Sequence, residues 1–151
     1  MLVRTLAAAV RVRSLVAAVL LVGASTVHAQ ALQLISAEEA KLPAAATKPA
    51  SRAITRGPGV KLSSPENVTG QFPLKIAFEP RGESKIDMAS VKVEYLKGNG
   101  VDLTERLKKG MKPDGIEIPT AAAPAGEHPI RVTVRDSEGR LGTAEFKLTV
   151  K

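Results

Sequence analysis

The sequence predicts an all-β protein, an antiparallel two-sheet sandwich of about six or seven short strands with one short helix inserted. Three observations carry this expectation. The last stretch, Glu127 to Lys151, alternates apolar and polar residues along two arms, Ile130/Val132/Val134 and Ala144/Phe146/Leu148/Val150; a period of two gives each arm one buried and one wet face. Turn residues recur about every ten positions upstream, between further alternating runs. Cysteine is absent, so in an oxidising compartment such a fold rests on its apolar core alone.

Residues 1–29 read as a secretory signal peptide. Arg4, Arg11 and Arg13 precede an apolar run from Leu15 to Val22, and Val27-His28-Ala29 has the small-x-small form of a cleavage site. The run is about half of the ~20 apolar residues that a membrane span needs. Cleavage between Ala29 and Gln30 is therefore expected, with cleavage after Ala31 a nearby option, no transmembrane segment after it and no cysteine to carry a lipid. This stretch holds three of the 22 basic residues and none of the 15 acidic ones, which lowers the net charge of the remainder to +4. So modest an excess does not mark a nucleic-acid binder.

Residues 30–59 read as a short helix followed by a flexible linker. Ser36 and Glu39 have capping-box spacing ahead of a helix that reaches Leu42 and stops at Pro43. A helix this short is marginal alone, so the segment is either a docking element for a partner or a frayed turn. From Ala44 to Gly59 the chain is Ala, Thr, Lys, Pro, Ser, Arg and Gly without hydrophobic period, a linker composition.

The globular part is expected over 60–151. Val60 and Leu62 suit a short edge strand, and Ser64-Pro65-Glu66-Asn67 a turn. Phe72, Leu74, Ile76 and Phe78 alternate as a half-buried strand, in which Pro73 is tolerable only near the start or on an edge. Asp87 to Ser90 reads as a turn before Val91, Val93 and Tyr95. Asp102 and Glu105 repeat the capping-box spacing, with Leu103, Leu107 and Met111 at helical intervals and Gly110 to close the turn. Ile116 and Ile118 make a strand that Pro119 is expected to end. Asp136-Ser137-Glu138-Gly139 supplies hairpin turn chemistry between the final arms.

The run from Ala125-Gly126-Glu127-His128 through Asp136-x-x-Gly139 to Val150 resembles the ending of bacterial immunoglobulin-like and fibronectin-like domains, and Ile86-Asp87 to Val93 resembles an earlier strand of the same modules. The resemblance spans about Val60 to Lys151. It implies an immunoglobulin-like sandwich, with Asp136 and Gly139 as turn residues and His128 as the residue that begins a strand. The whole chain is also similar to small exported proteins of Gram-negative bacteria, which implies a periplasmic location. Such sandwiches host many functions, so the likeness specifies architecture alone.

Few residues offer chemistry. His128 is the one histidine after residue 29, and no nucleophile elbow accompanies it, so it is expected as a half-exposed residue with no catalytic part. One histidine without cysteine cannot make a zinc or type-I copper site, and Met88 and Met111 read as gap fillers. Asp136, Glu138, Asp87 and Asp114 are the carboxylates to weigh for calcium, without the alternating loop it favours. Phe72, Phe78, Tyr95 and Phe146 all fall on apolar faces, leaving no aromatic platform for a sugar. Arg106, Lys108, Lys109 and Lys112 are the densest basic cluster and are expected to fan outward, as a solvated face or as a contact for anionic lipid or glycan. No catalytic, metal or cofactor site is expected. The expected function is that of a non-catalytic exported module that binds or supports another envelope protein; the alternatives are a ligand carrier or calcium-dependent adhesion module, and a binder of anionic surfaces.

Overall fold

A computed structural model describes residues 30–45 and 56–151. The expected signal peptide and cleavage residue Ala29 lie outside the described residues, as does most of the expected linker. The described chain runs β1 (Leu32–Gln33), α1 (Ala37–Ala40), β2 (Gly59–Leu62), β3 (Asn67–Val68), β4 (Gln71–Glu79), β5 (Ile86–Tyr95), β6 (Val101–Asp102), α2 (Thr104–Leu107), β7 (Met111–Lys112), β8 (Gly115–Ala122), β9 (Gly126–Asp136) and β10 (Leu141–Val150). One sheet has the order β1-β8-β4-β2 with β7 also paired to β8, and the other β3-β10-β9-β5-β6. The protein is thus built mostly of β-strands in two sheets. The described strands number ten, but five of them, β1, β2, β3, β6 and β7, have four residues or fewer. The long strands are those the alternation marks.

The two sheets share one core. Phe72, Leu74, Ile76 and Phe78 of β4 and Ile116 and Ile118 of β8 meet Val91, Val93 and Tyr95 of β5, Ile130, Val132 and Val134 of β9, and Leu148 and Val150 of β10. Burial of this set follows the period of two in each strand, and removing apolar area from water is the main driving force of such folding. The terminal hairpin pairs without a break from Leu141↔Arg135 to Val150↔Gly126. Its turn works as its residues imply: Asp136 Oδ1 accepts from the backbone N–H groups of Glu138 and Arg140 at 3.0 and 2.9 Å, and Gly139 takes φ +77°.

Pro119 and one turn motif behave differently from expectation, while Pro73 meets it, as the third residue of β4 and outside the stretch of β4 that β2 pairs. Pro73 lies inside β4, at a bulge where pairing with β8 skips from Phe72↔Ala121 to Leu74↔Ile118; a bulge removes the need for its missing donor. Pro119 falls in the gap on the opposite strand, so it does not end β8, which continues to Ala122. Asp87 to Ser90 belongs to β5 as a bulge between the Asp87↔Arg135 and Lys92↔Thr133 pairs. Its turn chemistry survives inside the strand, with Asp87 Oδ1 accepting from Ala89 N–H at 3.0 Å and Ser90 Oγ from Arg135 N–H at 2.8 Å.

Residues 30–45, expected to precede the domain, are built into it as a strap. β1 pairs in parallel with the end of β8, Leu32↔Ala121 and Gln33↔Ala122, and Leu34 and Ile35 are both fully buried in the shared core. The capping box forms on both sides: Glu39 N–H donates to Ser36 Oγ at 3.1 Å, and Ser36 N–H to Glu39 Oε2 at 2.8 Å. The far end of the strap lies against the turn after β5. There Ala45 N–H donates to Leu96 O and Gly98 N–H to Pro43 O, at 3.1 and 2.8 Å.

Candidate functional site

The basic segment is not a uniform outward fan. Asp102 Oδ1 accepts from Thr104 N–H at 2.8 Å and starts α2 by a two-residue link, so the expected reciprocal box does not form; Glu105 instead meets Lys108. After α2 the chain tightens into a 3-10 turn, Lys108–Gly110. Gly110 is needed there because a Cβ would lie 2.4 Å from Glu117 O. Leu103 and Leu107 are fully buried, which fixes the polar side of the segment.

Arg106 turns toward the strap. Its guanidinium donates to Glu39 through Nη1 and Nη2 at 2.8 and 2.6 Å and to Leu34 O at 2.8 Å. The two-pronged bond from Arg106 holds the Glu39 carboxyl down at about 2 against the opposing effect of burial, with help from Ser36 N–H. Arg106 is therefore a structural clamp, with part of its side chain left exposed beside the groove at Gln33 and Lys109. Lys108, Lys109 and Lys112 are exposed. Lys112 shares Glu117 with Lys75, at 2.9 and 2.7 Å, and these two ammonium groups hold the Glu117 carboxyl at about 2. Among the described residues Lys109 makes no ion pair.

His128 departs most from expectation. It is fully buried rather than half exposed, because it occupies the inward row of β9 with Ile130, Val132 and Val134. Nε2 lies 2.7 Å from Pro124 O and Nδ1 3.0 Å from the Tyr95 hydroxyl. A carbonyl oxygen can only accept, so Nε2 carries the proton and Nδ1 accepts from Tyr95. Burial lowers the histidine pKa; the Pro124 bond works against this and the Lys97 charge adds to it. Burial, with the Glu39 charge, raises Tyr95 to about 12. Both rings are thus neutral near pH 7, and a solute would reach neither nitrogen.

Of the carboxylates weighed for calcium, Asp136, Glu138 and Asp87 are engaged internally, while Asp114 is exposed. Asp136 is buried and bonded to Arg140 Nε at 2.7 Å, and Glu138 meets Arg140 Nη1 at 3.1 Å. Burial opposes ionisation of Asp136, and the Arg140 guanidinium with the two turn N–H groups outweighs it, so its pKa is lowered. No group of three or more His, Cys, Asp or Glu side chains converges among the described residues. Met88 and Met111 are half-buried and line an open groove of about 590 Å³ between β5 and α2, with Val91, Glu105, Lys108 and Pro113. A second open groove, of about 460 Å³, runs beside Gln30, Gln33, Lys109 and the β8 edge at Pro119 and Thr120. No described helix is long and apolar enough to cross a membrane. A scan against protein-family models finds no match, and a search of curated proteins finds none either.

Proposed function

We propose that this chain is a non-catalytic, exported module of immunoglobulin-like plan that binds or supports another component of the bacterial envelope. The immunoglobulin-like plan is supported by the way the first edge changes sheets: β2 pairs antiparallel with β4, whereas β3, a few residues on, pairs in parallel with β10 of the other sheet. Periplasmic export is supported by the Arg-flanked apolar run and the Val27-His28-Ala29 ending. The observation that carries the non-catalytic reading is the state of His128. The one imidazole of residues 30–151 has both nitrogens bonded inside the core, so the most versatile acid-base group is unavailable to a substrate.

The test is crosslinking in intact periplasm with the tagged chain, followed by identification of what is retained. A specific envelope protein recovered in repeated experiments supports the reading. Failure to export the chain, or recovery of nothing, sinks it and turns attention to small ligands and ions. A second reading, contact with anionic lipid or glycan, is favoured by exposed Lys108, Lys109 and Lys112. Retention on anionic vesicles at low salt, lost on changing the three lysines to glutamate, supports it; no retention removes it.

A further inference from the structure

His128 does more than fill the core. It is the one side chain in residues 30–151 whose ordinary pKa falls between about pH 5 and pH 8. Its neutral form is locked by a donor bond to Pro124 O and an acceptor bond from Tyr95. A second proton would have to sit on Nδ1. The Tyr95 hydroxyl would then have to present a lone pair, and its own hydrogen has no other partner among the described residues. The new cation would lie in a core of apolar side chains, where an uncompensated charge is strongly disfavoured.

The surrounding charges do not relieve it. Lys97 Nζ sits 5.9 Å from the centre of the Tyr95 ring and donates to Ala40 O of the strap at 2.8 Å. Glu39 of α1, which also acts on Tyr95, is occupied by the Arg106 clamp. On β10, apolar Leu148 stands opposite His128, and the neighbouring Glu127 faces outward to Lys147. The charge left to meet an imidazolium is thus of the same sign. It belongs to the turn that holds the strap, where Gly98, at φ +61°, packs under Leu42 and donates to Pro43 O.

We propose that His128 is an acid-sensitive pin for the strap: its protonation reverses the Tyr95 bond, repels Lys97 from Ala40 O and frees the Ala40–Ala45 end. Opening the strap releases Lys97 from Ala40 O and lets its charge leave the Tyr95–His128 pair, which relieves the part of the histidine's depression that Lys97 causes, so acidification favours the open form. The test is amide hydrogen exchange followed by NMR in the full chain, as protection factors, between about pH 7.5 and about pH 5. Protection at Ala45 and Gly98 is expected to fall by up to about tenfold for each pKa unit that His128 recovers when the strap opens. Amides of the β9–β10 ladder, which open only with the whole fold, are expected to stay better protected than these two at both pH values and to follow the global stability alone. His128→Gln, neutral throughout, is expected to show no such pH response, and Lys97→Met is expected to lose strap protection at both pH values. Unchanged protection in the natural chain, protection at Ala45 and Gly98 equal to that of the β9–β10 ladder at both pH values, or the same response in His128→Gln overturns the proposal. Should His128→Gln fail to fold, Lys97→Met decides alone: a pH response of natural size there overturns it.

Discussion

At the scale of single residues, the parity of a strand position decides what a polar side chain becomes. His128 shares its parity with Ile130, Val132 and Val134, a count available in the sequence; the sequence hides its burial because the strand is expected to begin at His128, whereas β9 begins two residues earlier, at Gly126. Which groups would satisfy the ring was not legible, since Tyr95 and Pro124 reach it from other elements. The consequence for stability has a definite sign. With the folded pKa below the ordinary 6.5, the unfolded chain binds more protons as pH falls below 6.5, so stability declines there until the folded value is passed, by about 1.4 kcal/mol per unit of depression. Urea midpoints between about pH 7.5 and about pH 5 measure this, and a flat profile in the natural chain contradicts it. Glu39 does not confuse the reading. Its folded pKa is about 2 against an ordinary 4.5, so its contribution is complete above 4.5 and is lost only as pH falls toward 2.

Depth also separates residues that the alternation makes alike. Leu148 is fully buried and Phe146, two positions away on the same face, is only partly so, because β10 has β9 along its whole length but β3 only at Thr149 and Val150. Leu148→Ala is expected to cost about 2–5 kcal/mol, and Phe146→Ala less than the ~3–5 kcal/mol of a fully buried phenylalanine. Denaturant unfolding of the two variants checks the order, and the reverse ranking would mean that Phe146 is covered more fully than Leu148.

Among elements, the hairpin and the β4 and β5 strands were legible because burial imposes a period of two on neighbouring residues. The strap was not. Leu32, Leu34 and Ile35 are too few to show a period, and their partners Ala121, Ala122 and Arg106 lie far along the chain. The sheet edge they cover exists only after folding. The same limit hid the clamp: capping-box spacing announces Ser36 and Glu39, but nothing local announces that Glu39 also receives Arg106. Arg106→Ala leaves a partly buried carboxylate short of its partner, and about 1–3 kcal/mol of stability is expected to go with it. If the strap is part of the domain, a protease site introduced between residues 46 and 55 should yield two fragments that remain together on gel filtration after cutting. Separation of residues 30–45 from a still-folded remainder would return them to the status of a tail.

For the whole molecule, many basic and acidic side chains pair with one another on the surface, as in the Lys75-Glu117-Lys112 and Arg131-Glu145 contacts. Exposed pairs of this kind contribute little each, so the fold depends on the shared core and on what closes it. Loop-closure cost leads us to expect that the strap closes it last in time as well. Leu32 and Ala121 are neighbours in the sheet although about 90 positions separate them, and joining ends so far apart is costly until the intervening chain is ordered. The strap therefore belongs to the descent from the folding barrier and not to its climb. Leu34→Ala is expected to leave the refolding rate nearly unchanged and to multiply the unfolding rate, a split that stopped-flow kinetics reads directly. A slowed refolding limb would mean that the strap nucleates the fold. On the expected outcome, the strap governs how long a folded molecule lasts, while the hairpin and its neighbours govern how soon one forms.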